Sequence, residues 1–167
     1  MVKKIIGTGL SGLVGTRVVD LLQNRFEFVN FSLESGVNIL DQKSLSDSFS
    51  LHKDADVILH MAAFTDTNAA WLQRGDKSGS CYQVNVIGTQ NILELAQRHN
   101  KYLINISTDF VFNGNTNTKY TEESTPSPIE WYGQTKYEAE RLISDSGINF
   151  STLRLAFPYR AKFNLKK

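Results

Sequence analysis

The chain has 167 residues, a length typical of one domain with a sizeable buried core. Its 18 basic and 17 acidic side chains give a formal net charge of +1, so no strong field favours binding of nucleic acid or of an anionic membrane. The single cysteine, Cys81, cannot form a disulfide within the chain, and the three histidines do not combine with it in a metal-ligand spacing. Composition therefore argues against a nucleic-acid-binding protein, a disulfide scaffold and a zinc fold.

The apolar runs of the chain are short. Residues 1–7 lack the long apolar stretch of a signal peptide. No later run approaches the roughly 18 residues that are needed to cross a bilayer. We therefore expect a cytoplasmic protein that has no membrane among its partners.

The predicted elements alternate between strands and helices. Short apolar, β-branched runs bounded by polar residues predict buried strands at residues 3–7, 27–31, 56–61, 102–107 and 149–155. Helical spacing of apolar residues predicts helices at residues 12–24, 43–49, 82–98 and 132–145. This order predicts one α/β domain, residues 1–167, with a doubly wound parallel sheet covered by helices on both faces. Residues 112–130 are irregular, and a loop of this length is typical of a functional or mobile segment.

A glycine-rich turn follows the first predicted strand and opens the first helix. Gly9, Gly12 and Gly15 are spaced three residues apart, which lets the backbone turn tightly and approach a pyrophosphate at the N-terminus of the helix. The strand before the turn and the helix after it favour a dinucleotide-binding Rossmann fold over a turn used only for packing.

The end of the second predicted strand does not decide between NAD and NADP. An acidic side chain there would bind the ribose of NAD, and an arginine would accept the 2′-phosphate of NADP. The sequence offers neither, since the strand ends in Asn30, Phe31 and Ser32. Glu34 lies two residues further on, where an exposed loop residue is the simpler interpretation.

Tyr132 and Lys136 form a candidate acid–base pair. They are four residues apart on a predicted helix, so their side chains project from the same face. A nearby ammonium group is expected to lower the pKa of the phenol, which suits a general acid acting on a carbonyl oxygen. The pair alone is a common chance occurrence and needs support from elsewhere in the chain.

That support comes from the end of the fourth predicted strand. Ser107, Thr108 and Asp109 follow one another there, at the sheet edge where open α/β folds bind their ligands. A hydroxyl group at this edge can hydrogen-bond a substrate carbonyl. The alternative role is capping of the strand-end turn for Ser107 and Thr108, and an Asx-turn for Asp109.

Taken together, these motifs resemble the extended short-chain dehydrogenase/reductase superfamily, and within it the dTDP-4-dehydrorhamnose reductases. The likeness covers nearly the whole chain. The segments that carry its finer part are residues 60–65 (HMAAFT), 85–89 (NVIGT), 107–114 (STDFVFNG), 128–136 (PIEWYGQTK) and 154–159 (RLAFPY).

The resemblance implies a role for each matching residue. Tyr132 would donate the proton, Lys136 would bind the nicotinamide ribose, and Thr108 would hold the reacting carbonyl. Asp109 and Asn85 are implied on the substrate side. The cofactor would be NAD or NADP, and the residues implied in holding it are Gly9, Leu10, Ser11, Gly12, Gly15, Asn38, Ile39, Ala62, Ala63, Thr65, Tyr132 and Lys136. The family usually has an aspartate where this chain has Asn38, whose amide oxygen can still accept a hydrogen bond from the adenine.

The resemblance implies a reductase that passes hydride to a 4-keto-sugar nucleotide, with that nucleotide-sugar as its partner. Family members run well beyond residue 159 and add a carboxyl-terminal substrate lobe, which we expect to be absent here, with residues 160–167 forming only the start of a helix. Two alternatives stay open: an epimerase or dehydratase of the same superfamily, and a non-catalytic dinucleotide-binding regulatory subunit. The oligomeric state, including a homodimer, is also open.

Three further residues have expected places. Cys81 is expected to be a small buried apolar residue rather than a reactive thiol. His60, at the end of a strand, is expected in the core or behind the site rather than as a base. Trp131 is adjacent to Tyr132, where it can either border the substrate or pack in the core.

Overall fold

Five apolar segments form the strands of one sheet. They are β1 (Lys3–Thr8), β2 (Phe26–Phe31), β3 (Val57–His60), β4 (Tyr102–Thr108) and β5 (Phe150–Leu155). The computed structural model, which describes residues 3–159, pairs all of them in parallel in the order β2-β1-β3-β4-β5. This confirms the predicted doubly wound α/β fold. The helix start expected at residues 160–167 lies outside the described residues.

The helices connect these strands and differ from prediction in two places. Their bounds are α1 (Leu13–Leu22), α2 (Gln42–Ser50), α3 (Thr67–Leu72), α4 (Ser80–Tyr82), α5 (Thr89–Arg98) and α6 (Trp131–Ser144). The predicted helix at residues 82–98 is interrupted by a π-helical turn, Gln83–Gly88. The six-residue α3 was not predicted, because it is too short to show helical periodicity; Asp66 caps it by accepting a hydrogen bond from Ala69 N. Within residues 3–159 no helix is long and apolar enough to span a bilayer.

The strands bury apolar side chains on both faces of the sheet. One face carries Ile5 and Leu59, which cluster with Leu10 and with Val18 of α1. The opposite face faces α2, α5 and α6, and its cluster is larger. The members that span it are Ile6, Ile58, Leu103, Leu45, Phe49, Ile92 and Ile143. Burial on both faces explains why the strands read as continuous apolar runs.

One row of side chains across the sheet is polar instead. The register places Thr8, His60 and Asn105 side by side on β1, β3 and β4, near the carboxyl ends of the strands. All three are fully buried. Polar residues therefore lie directly beneath the sheet edge at which the predicted site residues meet.

Candidate functional site

The glycine turn packs directly against the segment that follows β3. Gly9 has φ +69, and a Cβ atom there would lie 2.6 Å from the backbone nitrogen of Ala62. A Cβ atom on Gly15 would lie 2.5 Å from both the carbonyl oxygen of Gly9 and the Cα of Leu10. Only glycine fits at these two positions, because any side chain would push the turn away from its neighbours. Gly12 is the N-cap of α1, so the first N–H groups of the helix open beside the turn.

A cleft of about 540 Å³ runs along the carboxyl edge of the sheet from this turn to α6. Most of the predicted cofactor residues come together in it. Those that line it are Gly9, Ser11, Gly12, Gly15, Asn38, Ile39, Ala62, Ala63, Thr65, Tyr132 and Lys136. Residues from four separate parts of the sequence thus share one concave surface, which is the usual form of a small-molecule site.

Other lining residues were not predicted. Phe31, Leu33 and Val37 form an apolar wall next to Ile39. The sequence signal for them is the apolar content of the segment after β2, which carries no recognisable motif. Ser107, which was expected at this edge of the sheet, also lines the cleft, and its buried hydroxyl oxygen has no hydrogen-bond partner within residues 3–159. A buried polar atom without a partner is available to a ligand.

Four predicted site residues do not line the cleft. The Leu10 side chain is buried in the core with Ile5. Thr108 and Asp109 lie at the end of β4, next to Tyr132 rather than within the cleft. Asn85 is fully buried, which departs from the expected contact with substrate.

Asn85 instead joins two parts of the site from behind. Its Oδ1 accepts from Phe64 N at 2.8 Å, while its Nδ2 donates to Phe64 O at 3.2 Å and to Thr135 Oγ1 at 3.0 Å. Thr135 Oγ1 donates in turn to the carbonyl oxygen of Tyr132 at 2.8 Å. The residue therefore ties the segment after β3 to the first turn of α6.

Lys136 is the buried cation of the cleft. Its side chain is almost fully buried, and Nζ donates to the carbonyl oxygen of Ile106 at 2.8 Å. Burial lowers the pKa of Lys136 to about 8, while the negative charge of Glu140, one helical turn further along, acts to raise it. Glu140 is itself held by Arg154 through a bidentate pair with distances of 3.0 and 2.7 Å.

The expected lowering of the Tyr132 pKa is wrong for this structure. Burial raises the pKa of Tyr132, the charge of Asp109 acts in the same direction, and a hydrogen bond with Thr108 opposes them. The shift has no contribution from Lys136, whose ammonium group donates to the carbonyl oxygen of Ile106. Tyr132 is therefore a protonated phenol at neutral pH.

Gly133 brings Tyr132 to the end of β4. A Cβ atom at this position would lie 2.2 Å from the carbonyl oxygen of Phe110, so α6 can pack on the 3-10 turn Asp109–Val111 only because residue 133 has no side chain. Sequence analysis missed this role. The close approach of a distant backbone has no signal in the sequence beyond the glycine itself.

Two of the remaining expectations can be compared with the structure. Cys81 is fully buried, as expected, and burial raises the pKa of its thiol. Trp131 is buried and stacks on Tyr82 with ring centroids 6.2 Å apart. This tryptophan therefore packs in the core and does not border the cleft.

Known proteins are similar to this chain. Residues 3–165 match the protein family described as "RmlD substrate binding domain". The chain belongs to the RmlD family. A dTDP-4-dehydrorhamnose reductase of Aggregatibacter actinomycetemcomitans is 34% identical over 144 residues, covering 84% of this chain and 46% of the reductase. A rat (Rattus norvegicus) protein named methionine adenosyltransferase 2 subunit beta is 31% identical over 163 residues, covering 94% of this chain and 47% of that protein.

The same family appears among solved structures. A crystal structure of dTDP-4-dehydrorhamnose reductase from Bacillus anthracis in complex with NADP has a TM-score of 0.87 at 26% identity, covering 98% of this chain and 57% of that chain. These matches confirm the resemblance and the Rossmann-like fold, and the expectation of NAD or NADP agrees with them. The chain spans about half the length of the curated relatives it matches.

Proposed function

We propose that residues 1–167 of this RmlD family member form an NAD(P)-binding domain and carry the proton donor of a sugar-nucleotide reductase. The observation that supports this most is that the glycine turn, Lys136 and Tyr132 all line one cleft. A dinucleotide joins two chemically different ends through a pyrophosphate. A long cleft with a glycine-rich helix N-terminus in its wall suits such a ligand.

The lining residues fit the parts of the cofactor. The backbone of the glycine turn and the N-terminus of α1 would face the pyrophosphate. The apolar wall of Phe31, Leu33, Val37 and Ile39 would take the adenine. Lys136, together with the unpartnered hydroxyl of Ser107, would bind the nicotinamide ribose.

The proton-donating role of Tyr132 follows from its environment. When bound, the reduced nicotinamide supplies a hydride to the carbonyl carbon of the substrate. Tyr132 stays protonated at neutral pH because burial raises its pKa, so its phenol can give a proton to the carbonyl oxygen as the hydride arrives. The Thr108 side chain acts to lower the pKa of Tyr132, which supports a site in which both hydroxyls meet that oxygen.

The substrate class is proposed from the family. The relatives from Aggregatibacter actinomycetemcomitans and Bacillus anthracis are both named dTDP-4-dehydrorhamnose reductase, which supports a 4-keto-sugar nucleotide as the substrate. Asp109 would contact the sugar, because it lies one residue beyond Thr108 and close to Tyr132.

We further propose that the cleft accepts both NADPH and NADH. Among residues 3–159, no acidic side chain lines the cleft, so nothing in its wall repels a 2′-phosphate. Glu34 lies in the exposed turn Leu33–Ser35 and does not line the cleft. The lining residues also lack an arginine to pair with the phosphate, and we therefore expect the two dissociation constants to differ by less than about tenfold.

A second function has one observation in its favour. The similar rat protein is named as a subunit of methionine adenosyltransferase, which suits the alternative of a dinucleotide-binding subunit without turnover. The Tyr132 and Lys136 pair favours an enzyme. Dinucleotide binding without reduction of any 4-keto-sugar nucleotide, together with a stable complex with a partner enzyme, would support the subunit instead.

Titration with NADPH and NADH, followed by nicotinamide fluorescence, tests the proposal. Gly12→Asp places a carboxylate at the N-terminus of α1 and should abolish binding, because it repels the pyrophosphate. Gly114→Asp adds the same charge where nothing lies within 4 Å of the new Cβ atom; its φ of +71 is left-handed, a conformation that aspartate adopts more readily than most residues, and this variant should bind like the wild type. Tyr132→Phe should also bind. Wild-type protein that binds neither dinucleotide, or Gly12→Asp that binds as well as Gly114→Asp, would contradict the proposed site.

A further inference from the structure

A series of hydrogen bonds between buried polar side chains, called here the hydrogen-bond chain, runs behind the cleft, and the proposed chemistry does not use it. Thr8 Oγ1 lies 2.7 Å from His60 Nδ1, and His60 Nε2 lies 2.9 Å from Thr89 Oγ1. All three side chains are fully buried. They join β1, β3 and the start of α5 across the interior of the domain.

The hydrogens in this chain can be assigned by counting donors. Thr89 Oγ1 donates its only hydrogen to the carbonyl oxygen of Asn85 at 2.7 Å, so its contact with His60 must be donated by Nε2–H. Thr8 Oγ1 accepts from the backbone N–H groups of Met61 at 3.2 Å and Ala62 at 3.1 Å. Its own hydrogen is thus free to be donated to His60 Nδ1. Every group is satisfied when His60 is neutral and protonated on Nε2.

Both ends of the hydrogen-bond chain hold the same segment, residues 61–64. At one end, Thr8 accepts from the N–H groups of Met61 and Ala62, which line the cleft beside Gly9. At the other end, the hydrogen-bond chain reaches Asn85, whose side-chain amide binds the N–H and the carbonyl of Phe64. His60 therefore lies between the two supports of residues 61–64, which form one wall of the cleft.

We propose that His60 is a positioning residue whose Nε2–H tautomer directs this hydrogen-bond chain and fixes residues 61–64 against the glycine turn. Residues 61–64 pack closely on Gly9, since a Cβ atom on that residue would lie 2.6 Å from Ala62 N. Residues 61–64 need support from the interior of the domain to keep this position, and the hydrogen-bond chain through His60 provides it. The inference rests on the proposed function only in its effect on cofactor affinity.

The electrostatic surroundings agree with a neutral ring. Burial, and to a smaller extent the positive charge of Lys136, lower the pKa of His60 to about 3. A proton on Nδ1 would also face the hydrogen that Thr8 donates. The imidazole therefore has one stable protonation state at neutral pH.

Long-range ¹H–¹⁵N NMR spectra of the ¹⁵N-labelled chain test the tautomer directly. The His60 resonances are assigned by their absence in His60→Gln. We expect a protonated Nε2 and an unprotonated Nδ1, unchanged between about pH 5.5 and 8. A protonated Nδ1, or an imidazolium ion in this range, would overturn the assignment.

Two substitutions then separate positioning from simple packing. Glutamine retains one acceptor and one donor, whereas leucine retains only apolar volume. We expect the Ala62 amide to exchange with solvent about tenfold faster in His60→Leu, and to stay within about threefold of wild type in His60→Gln. Equal exchange in both variants at the wild-type rate would overturn the proposal. If His60→Leu does not fold, Thr89→Val, which removes the hydroxyl at similar volume, takes its place with the same expectation.

Cofactor affinity gives the second measure. The dissociation constant for NADPH should rise about tenfold in His60→Leu and much less in His60→Gln. His99→Gln, which changes a histidine stacked on Phe49 away from the cleft, should bind as the wild type does. If the wild type does not bind NADPH, the proposed function fails, while the tautomer and the amide exchange still decide the role of His60.

Discussion

Lys136 Nζ donates a hydrogen bond to the carbonyl oxygen of Ile106 at 2.8 Å, which fixes the ammonium group of α6 to strand β4. Lys136 is not among the groups that shift the pKa of Tyr132. The lysine has two further hydrogens with no partner among residues 3–159, and both can serve a ligand in the cleft. The charge of Lys136 is thus placed to bind a ligand, while the pKa of Tyr132 is raised by the burial of its own phenol.

Replacing Lys136 should separate stability from function. Lys136→Met removes a buried charge, so we expect the free energy of unfolding at pH 7 to rise by about 1–2 kcal/mol and NADPH affinity to fall. Urea denaturation and fluorescence titration measure the two effects. Lys43→Met, at an exposed lysine in α2, is the control and should change neither by much.

The difference in the free energy of unfolding between the wild type and Lys136→Met should depend on pH. Below pH 8 the folded and unfolded chains both carry a proton on Lys136, so the burial penalty is fully present. Between pH 8 and about 10.5 the folded chain releases this proton while the unfolded chain keeps it, and the stability of the wild type rises relative to the variant. A stability difference that does not shrink above pH 8 would contradict burial of a charged lysine.

His60 should make the domain sensitive to acid. The unfolded chain binds a proton on this histidine below about pH 6.5, but the folded chain does not until about pH 3. Stability is therefore lost as pH falls through this range, at about 1.4 kcal/mol per pH unit from this group. Urea denaturation of the wild type and His60→Gln at several pH values measures the difference. Parallel pH profiles would show that His60 is not buried in its neutral form.

Gly133 should tolerate no side chain. In Gly133→Ala the new Cβ would overlap the carbonyl of Phe110, so α6 must move away from the turn Asp109–Val111. We expect a loss of about 2–3 kcal/mol in stability and a displacement of Tyr132 from the end of β4. Thermal unfolding measures the first effect. Ser144→Ala, at the exposed end of the same helix, should stay within about 0.5 kcal/mol of wild type.

The ion pair between Glu140 and Arg154 should contribute more to the free energy of unfolding than an exposed ion pair does. Both side chains are largely buried, with accessibilities of 7% and 24%, so Glu140→Gln leaves a cation without its partner and should cost about 3 kcal/mol. Asp47→Asn breaks the exposed pair with Lys43 and should cost less than about 0.5 kcal/mol. Denaturation midpoints of the two variants compare them, and equal losses would contradict the burial argument.

The fold, the glycine turn and the Tyr132 and Lys136 pair could be predicted from the sequence, because local patterns specify them. The other lining residues that were expected, Asn38, Ile39, Ala62, Ala63 and Thr65, followed only from the family resemblance. Apolar runs indicate strands, and the Gly9 turn shows its purpose by its position between a strand and a helix. Tyr132 and Lys136 were found by their spacing on a helix.

The missed features depend on contacts between distant parts of the chain. The acceptor of Lys136 is thirty residues away, and the neighbour that makes Gly133 necessary belongs to a different element. The predicted lowering of the Tyr132 pKa was also wrong. Spacing on a helix does not indicate where the lysine side chain points or how deeply the phenol is buried. Burial and orientation are tertiary properties.

A crystal structure of the 167-residue chain grown with saturating NADPH tests the central claim most directly. We predict the pyrophosphate at the glycine turn, beside Gly12, and the nicotinamide ring next to Tyr132, with Lys136 on the adjoining ribose. NADPH bound elsewhere on the chain, or an empty cleft at a concentration that saturates related reductases, would contradict the proposal that this domain binds the cofactor and carries the proton donor.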